Sequence, residues 1–313
     1  ALQAYGGYQC DLHGFLQGKD KLNFLPRWFI KQHRGRTGFY RSRQMMRIRN
    51  KHKGENMIFS VNTTKCLHCG LCVSGCVCGL LKLSVEGVPY VESSRQTSCV
   101  HCGHCVAVCP EGAITLDGIA SNMLEAAASP LSEALLAQIL KARRAIRNFQ
   151  ASDIDDALLK KAFSLAAYAP TAHNARQVAY IVINGRSKVE KLLQATVRLM
   201  EEHNIYPGHT RNVRSGHDTL FRGAPCLILI HAPERILSET DCATAASYLE
   251  LALPSLYLGS CWAGMLIESC AYGLPEGLCL PAGHKLYGAL MVGKPDVAYR
   301  RIPFRSEPKV TWR

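Results

Sequence analysis

Within 313 residues no G-x-G-x-x-G follows a strand and no P-loop occurs, so the usual signs of a Rossmann dinucleotide site and a Walker NTPase site are missing. No apolar run is fit to cross a bilayer either. Tyr248–Ile267 is nearly long enough, but Glu250, Pro254 and Gly259 interrupt it, and it reads as the centre of a soluble core. Residues 1–56 hold no uninterrupted apolar core before a small-residue cleavage site, so a secretory signal is not expected within them. Acidic residues are scarce there: residues 1–56 hold Asp11, Asp20 and Glu55 against 12 Lys and Arg. That stretch alone supplies +9 of the net +13, so the basicity is local and does not mark the whole chain as a nucleic-acid binder.

Residues 1–56 also show no sustained period of 3.6 or 2. They suit a basic arm for nucleic acid or an acidic membrane, or else an extension that is disordered or upstream of the working protein. The second is expected, with Met57 opening a first strand. With 48% hydrophobic and 19% charged residues, the chain has material for a real core and room for about two domains.

What is abundant is cysteine. Eight of the fifteen stand at 66, 69, 72 and 76 and again, 33 positions on, at 99, 102, 105 and 109. This is C-x2-C-x2-C-x3-C written twice, the spacing that holds a cubane [4Fe–4S] cluster. A structural zinc module uses two separated pairs, and a third cysteine on each loop is one too many for it. The duplication implies crossed ligation, with Cys66, Cys69 and Cys72 taking Cys109, and Cys99, Cys102 and Cys105 taking Cys76. Pro110 follows Cys109, whereas Val77 follows Cys76. His68, His101 and His104 lie between ligands of a set that is already complete, and Cys78 is a ninth thiol, either spectator or spare ligand. The other seven cysteines are scattered and odd in number, so a disulfide scaffold is not indicated, and cluster thiolates favour a reducing compartment such as the cytoplasm.

The segment from Met57 to Ile119 resembles a bacterial-type two-cluster ferredoxin, and residues 57–120 are expected to form that domain. Small hairpins are expected over Leu81–Val91, turning at Gly87, and after Ala113–Leu116, turning at Asp117-Gly118. Ala126–Ala145 reads as a connecting helix ending in basic residues. Beyond it, helices and strands alternate. Helices are expected to start at Ser152-x-x-Asp155, Ser187-x-x-Glu190 and Ser238-x-x-Asp241, and strands at Val178–Ile183, Cys226–Ile230 and Tyr287–Gly293. The polar stretch from Glu201 to Asp218, with His203, His209 and His217, is a candidate lid.

Polar islands recur at element boundaries: Arg143 to Phe149, Ala169 to Asn174, Arg222 to Pro225, Gly259 to Gly264, and Arg300 to Pro303. In this order they resemble the nitroreductase family of flavin enzymes, over about Ser132 to Trp312. The resemblance implies an α+β chain: the small ferredoxin-like domain, then a three-layer α/β/α FMN domain and its linker over residues 121–313. It implies that Arg143, Arg144, Ala145 and Arg147 meet the FMN phosphate, with Ala145 where the family has serine. Pro170, Thr171 and Asn174 correspond to the element whose asparagine bonds the flavin ring. Arg176-Gln177 stands where Gln-Pro is usual, so either the glutamine is displaced by one position or Arg176 takes its role. Trp262, Ala263 and Gly264 correspond to the stretch beside the ring, and Arg301, with Arg300, to a further phosphate contact. The expected catalyst is the flavin itself, with no protein nucleophile.

That resemblance further implies a homodimer and electrons entering from a soluble donor such as ferredoxin, passing through both clusters to FMN. They would go on to a flat acceptor such as a nitroaromatic or quinone. Two alternatives stand beside it: reduction of the flavin by NAD(P)H with structural clusters, and a non-catalytic electron carrier or redox sensor. Neither membrane nor nucleic acid is an expected partner.

Overall fold

The computed structural model describes residues 54–127 and 131–313. All but the last three positions of the basic extension lie outside them, as does Pro130 of the linker.

The cysteine-rich part is built from short elements: β1 (Phe59–Val61), α1 (Leu71–Ser74), β2 (Leu81–Leu83), β3 (Pro89–Val91), α2 (His104–Ala107), β4 (Ile114–Leu116) and β5 (Ile119–Ala120). β1 pairs antiparallel with β4, which pairs with β5 around Asp117-Gly118, and β2 pairs with β3. Both hairpins fall where the turn residues put them. At Gly87 (φ 77°) a Cβ would stand 3.2 Å from the His68 ring, so glycine serves both the left-handed turn and the approach of the first cysteine loop. So small a unit has little apolar surface to bury, and cysteines are part of its core: Cys72, Cys99 and Cys105 pack with Met57, Leu80, Ile114 and Leu116.

The linker helix is shorter than Ala126–Ala145: α3 (Glu133–Ala142) starts at Ser132, whose Oγ accepts the Leu135 N–H at 3.3 Å. There follow α4 (Asp156–Ala166), β6 (Ala179–Asn184), α5 (Arg186–Glu202), α6 (Pro207–Arg214), β7 (Cys226–Pro233), α7 (Ser238–Ala252), β8 (Gly259–Trp262), α8 (Gly264–Ser269) and β9 (His284–Gly293). Four antiparallel strands form one sheet in the order β6-β7-β9-β8. β7 is buried on both faces because helices cover both. Leu227 and Leu229 point toward α5 and α8, and Ile228 and Ile230 toward α4 and α7. This is the expected α/β/α layering. β6, expected to be buried, is an edge strand and only half-buried.

The helix starts differ from the capping boxes. Asp155 itself caps α4, accepting the Ala157 N–H at 2.8 Å, so the last residue of the box is the cap. α5 begins after Gly185 at φ 113°, which leaves Ser187 inside the first turn. Ser238 turns its hydroxyl back to the Pro233 carbonyl at 2.6 Å instead of capping α7. The candidate lid is largely helix α6. Its polar face concealed Thr210 and Val213, which are buried, and Arg214 fastens it to Glu201 through two bonds of 3.0 and 2.7 Å. Among the described residues, no helix is long and apolar enough to cross a membrane.

Candidate functional site

The two cysteine repeats fold alike. His68 and His101 adopt φ near 50°, and Gly70 and Gly103 near 70°, so each loop curls the same way before a four-residue helix. The fourth cysteine of each copy opens a turn and accepts a backbone N–H on sulfur: Leu80 N to Cys76 Sγ at 3.4 Å, and Ala113 N to Cys109 Sγ at 3.2 Å. Cys66, Cys69, Cys72 and Cys109 line one cavity, and Cys76, Cys99, Cys102 and Cys105 line another. None of the fourteen described cysteines is in a disulfide. Among the described residues no three ligating side chains are close enough to hold a single metal ion, whereas a cubane spreads its thiolates over four irons.

Burial raises the Cys72 thiol, pushes Cys99 up to about 11 and Cys105 up to about 12, and so holds these three protonated unless a cation compensates. Iron supplies that compensation, and the N–H···S bonds suit sulfurs carrying charge. The residues fit two [4Fe–4S] clusters. His101 is buried and ties its loop to the β4–β5 turn, with Nδ1 at 2.7 Å from Asp117 Oδ2, while Asp117 Oδ1 accepts the Ile58 N–H at 2.9 Å. It is a strut within the fold, whereas the sequence showed only that it lies between ligands.

The second group of candidate residues lies along β8 and α7. Ala145 bridges to Ser260, and the Ile146 N–H donates to the Ser260 carbonyl at 2.8 Å, so the Arg143–Arg147 stretch runs beside β8. Arg143 Nη1 donates to Glu250 Oε1 at 3.1 Å, and Trp262 Nε1 donates to Glu250 Oε2 at 3.2 Å. Burial raises the Cys261 thiol, while three nearby guanidiniums, Arg147, Arg222 and Arg143, pull it down. This is a concentration of positive charge around one strand end. Ala263 and Gly264 open α8, with the Ala263 N–H on the Ala289 carbonyl at 2.9 Å.

The segment after α4 is a tight coil in which His173, Asn174 and Arg176 all take φ between 51° and 53°. Asp241 of α7 holds it by accepting the Ala172 N–H at 2.9 Å, and Thr171 Oγ1 accepts the Arg176 N–H at 3.0 Å. Asn174 accepts Arg176 Nε at 3.0 Å and donates through Nδ2 to the carbonyl of Val100 at 2.8 Å. Val100 lies between Cys99 and Cys102, so the second cysteine loop is bonded directly to this segment. Pro170 is exposed at its edge.

Two polar atoms here are buried without a partner: Arg144 Nε and Gln177 Oε1. Each such atom costs free energy unless a further group meets it. A phosphate accepts from guanidinium nitrogens, and a flavin ring offers N–H to an amide oxygen, so both atoms suit FMN. Arg176 is exposed and committed to its own loop, which favours Gln177 as the displaced glutamine. Arg300 and Arg301 stand on an exposed irregular segment, and among the described residues no hydrogen bond or ion pair ties them to the other arginines. Glu250 and Asp241 were not among the sequence candidates. A carboxylate at position 250 in an apolar helix was the available sign, since such a group requires partners.

Comparison with known proteins finds a family match for each of the two parts. Residues 140–294 match the family model of the nitroreductase family, and residues 65–113 match that of the 4Fe-4S dicluster domain. A relative from Methanothermobacter thermautotrophicus, named as an NADH dehydrogenase/NAD(P)H nitroreductase, is 24% identical over 164 residues, covering 50% of this chain and 76% of its own. Among solved structures, an FMN-bound nitroreductase from Bacteroides fragilis is 22% identical with a TM-score of 0.48, covering 58% of this chain and 100% of its own. Another from Desulfitobacterium hafniense, also with FMN, is 21% identical with a TM-score of 0.49, covering 58% and 99%. Residues 140–294 thus form a domain of the nitroreductase family, and an iron–sulfur domain of the 4Fe-4S dicluster type lies ahead of it over residues 65–113.

Proposed function

We propose that the chain is an FMN-dependent oxidoreductase that receives electrons through two [4Fe–4S] clusters and reduces a flat small molecule such as a nitroaromatic or a quinone. The observation that carries this reading is the Asn174–Val100 hydrogen bond of 2.8 Å. It fastens the second cysteine loop to the candidate flavin segment, so the cluster of Cys76, Cys99, Cys102 and Cys105 is the one next to the flavin. The other cluster then faces the donor, in keeping with the exposure of Cys69 and of Leu67 (61%) beside it.

Bound FMN supplies the redox chemistry, and the protein binds and orients it. Arg143, Arg144 and Arg147 hold the phosphate, with Arg222 adding charge. Asn174 and Gln177 meet the ring edge, and Trp262, Ala263 and Gly264 flank it. Glu250 keeps Arg143 and Trp262 in place, and Arg300 and Arg301 of the C-terminal segment would add charge for the phosphate. No side chain acts as nucleophile.

The working unit is a homodimer. Two features support this: α3 buries none of its residues although it carries Leu136, Ile139 and Leu140, and the C-terminal segment exposes Phe304 (92%) and Trp312 (90%). Sedimentation of the holoprotein is expected to give twice the 34.5 kDa chain mass; a monomer across the micromolar range contradicts it.

Anaerobic stopped-flow mixing decides the donor. Reduced ferredoxin is expected to bleach the cluster band first and the flavin band afterwards. Bleaching of flavin by NADH, with the clusters still oxidised, favours instead the NAD(P)H route that the archaeal relative's name suggests. Stoichiometric clusters without FMN leave an electron carrier or redox sensor.

A further inference from the structure

The cavity of the second cluster is lined by five cysteines, Cys78 joining Cys76, Cys99, Cys102 and Cys105. The internal repeat explains why. Cys76 opens a turn closed by the Gly79 N–H on its carbonyl at 2.9 Å, with Gly79 at φ 56°. Thirty-three residues on, Cys109 opens the same turn, closed by the Gly112 N–H at 3.2 Å, with Gly112 at φ 61°. The third position of this turn borders the cavity in both copies: Cys78 in one, Glu111 in the other. Val77, between the two cysteines, points to solvent at 74% exposure, while Cys76 and Cys78 are both partly buried against the same core. The two cavities are therefore built alike, and only one has sulfur at the fifth position.

From this we infer that Cys78 is a reserve ligand of the second cluster, able to hold the iron that Cys76 holds when Cys76 is lost. The inference rests on the two-cluster reading above. In the exchange the iron–Cys76 sulfur bond breaks, an iron–Cys78 sulfur bond forms, and the Cys78 thiol releases its proton to solvent. No electron moves, and the cluster keeps its charge once Cys76 takes up a proton or is replaced. Cys78 stands two residues along the turn that Cys76 opens, and Gly79 at φ 56° supplies the left-handed residue that ends it, so a rotation of the turn would bring the Cys78 sulfur toward the iron that Cys76 would hold.

The test is iron and sulfide content with the electron paramagnetic resonance spectrum of the reduced protein, all prepared without air. The unaltered chain first establishes the reading with about eight irons. Cys76→Ser is expected to keep about eight irons with a shifted signal for one cluster, and C76S/C78S to keep about four. Cys109→Ser, whose turn offers only Glu111, is expected to fall to about four, and C109S/E111C to recover. A Cys76→Ser chain with no more iron than Cys109→Ser overturns the inference while leaving the two-cluster reading intact. Should Cys76→Ser fail to fold, the C109S/E111C pair decides: no recovery of iron there overturns it equally. An unaltered chain without iron sinks the earlier reading instead.

Discussion

Cys102→Ala, purified without air, is expected to lose about four of about eight irons, keep its FMN, and stop passing electrons from reduced ferredoxin to flavin. The first cluster, held by Cys66, Cys69, Cys72 and Cys109, should still bleach on mixing, because its cavity shares no cysteine with the second. Flavin reduction should fall to the level of a chain stripped of both clusters. The reason is positional. The bond from Asn174 Nδ2 to the Val100 carbonyl at 2.8 Å attaches the loop bearing Cys99 and Cys102 to the flavin segment. Cys69→Ala should also interrupt transfer, but there the second cluster remains reducible by a small chemical reductant, and the flavin follows it. Unchanged circular dichroism would show that neither variant has simply unfolded. If Cys102→Ala reduces its flavin from ferredoxin at the unaltered rate, the clusters are not in series and the proposed order is wrong.

Arg147→Ala is expected to weaken FMN binding by roughly 10- to 100-fold, the loss of one charge-assisted contact to phosphate at about 1.5–3 kcal/mol. Arg147 is exposed, and among the described residues no hydrogen bond or ion pair holds it, so the melting temperature of the FMN-free chain should not move. Arg143→Ala should weaken FMN similarly but also lower that melting temperature. Its guanidinium is one of two partners of the buried Glu250 carboxylate, and removing it leaves Glu250 with the Trp262 indole alone. An uncompensated buried charge is costly, about 3–5 kcal/mol where a pair is broken fully, less here because the pair keeps some contact with solvent. Isothermal titration of FMN into the apo variants separates the two effects. Full affinity in Arg147→Ala would remove the arginine stretch from the phosphate site.

Much of this layout is legible in the residues. Eight cysteines at fixed spacing announce the iron–sulfur domain because cluster ligation is a matter of sequence-local loops. Gly87 and Asp117-Gly118 mark their hairpins for the same reason: a turn is decided within four residues. The buried face of α5, from Val189 to Met200, follows its period. What was not legible depends on contacts distant in sequence. Glu250 looks like a mere interruption of an apolar helix until Arg143, 107 positions earlier, and Trp262 are seen to meet it. Asp241 reads as the end of a capping box, yet its carboxylate holds the Ala172 N–H. β8 was concealed because Gly259-Ser260-Cys261-Trp262 is too short to show a period, and α6 because five of its eight residues are exposed. Arg176 and Gln177 could not be ranked from the sequence, because the difference between them, a buried Gln177 oxygen and an exposed Arg176, exists only in the fold.

The most direct measurement is the visible spectrum of the anaerobically purified chain with iron, sulfide and flavin counted. About eight irons, about eight sulfides and about one FMN per chain are expected, with a brown cluster absorbance overlying the yellow flavin bands. A folded chain that is colourless, or one that is brown and binds no added FMN, would contradict the assignment.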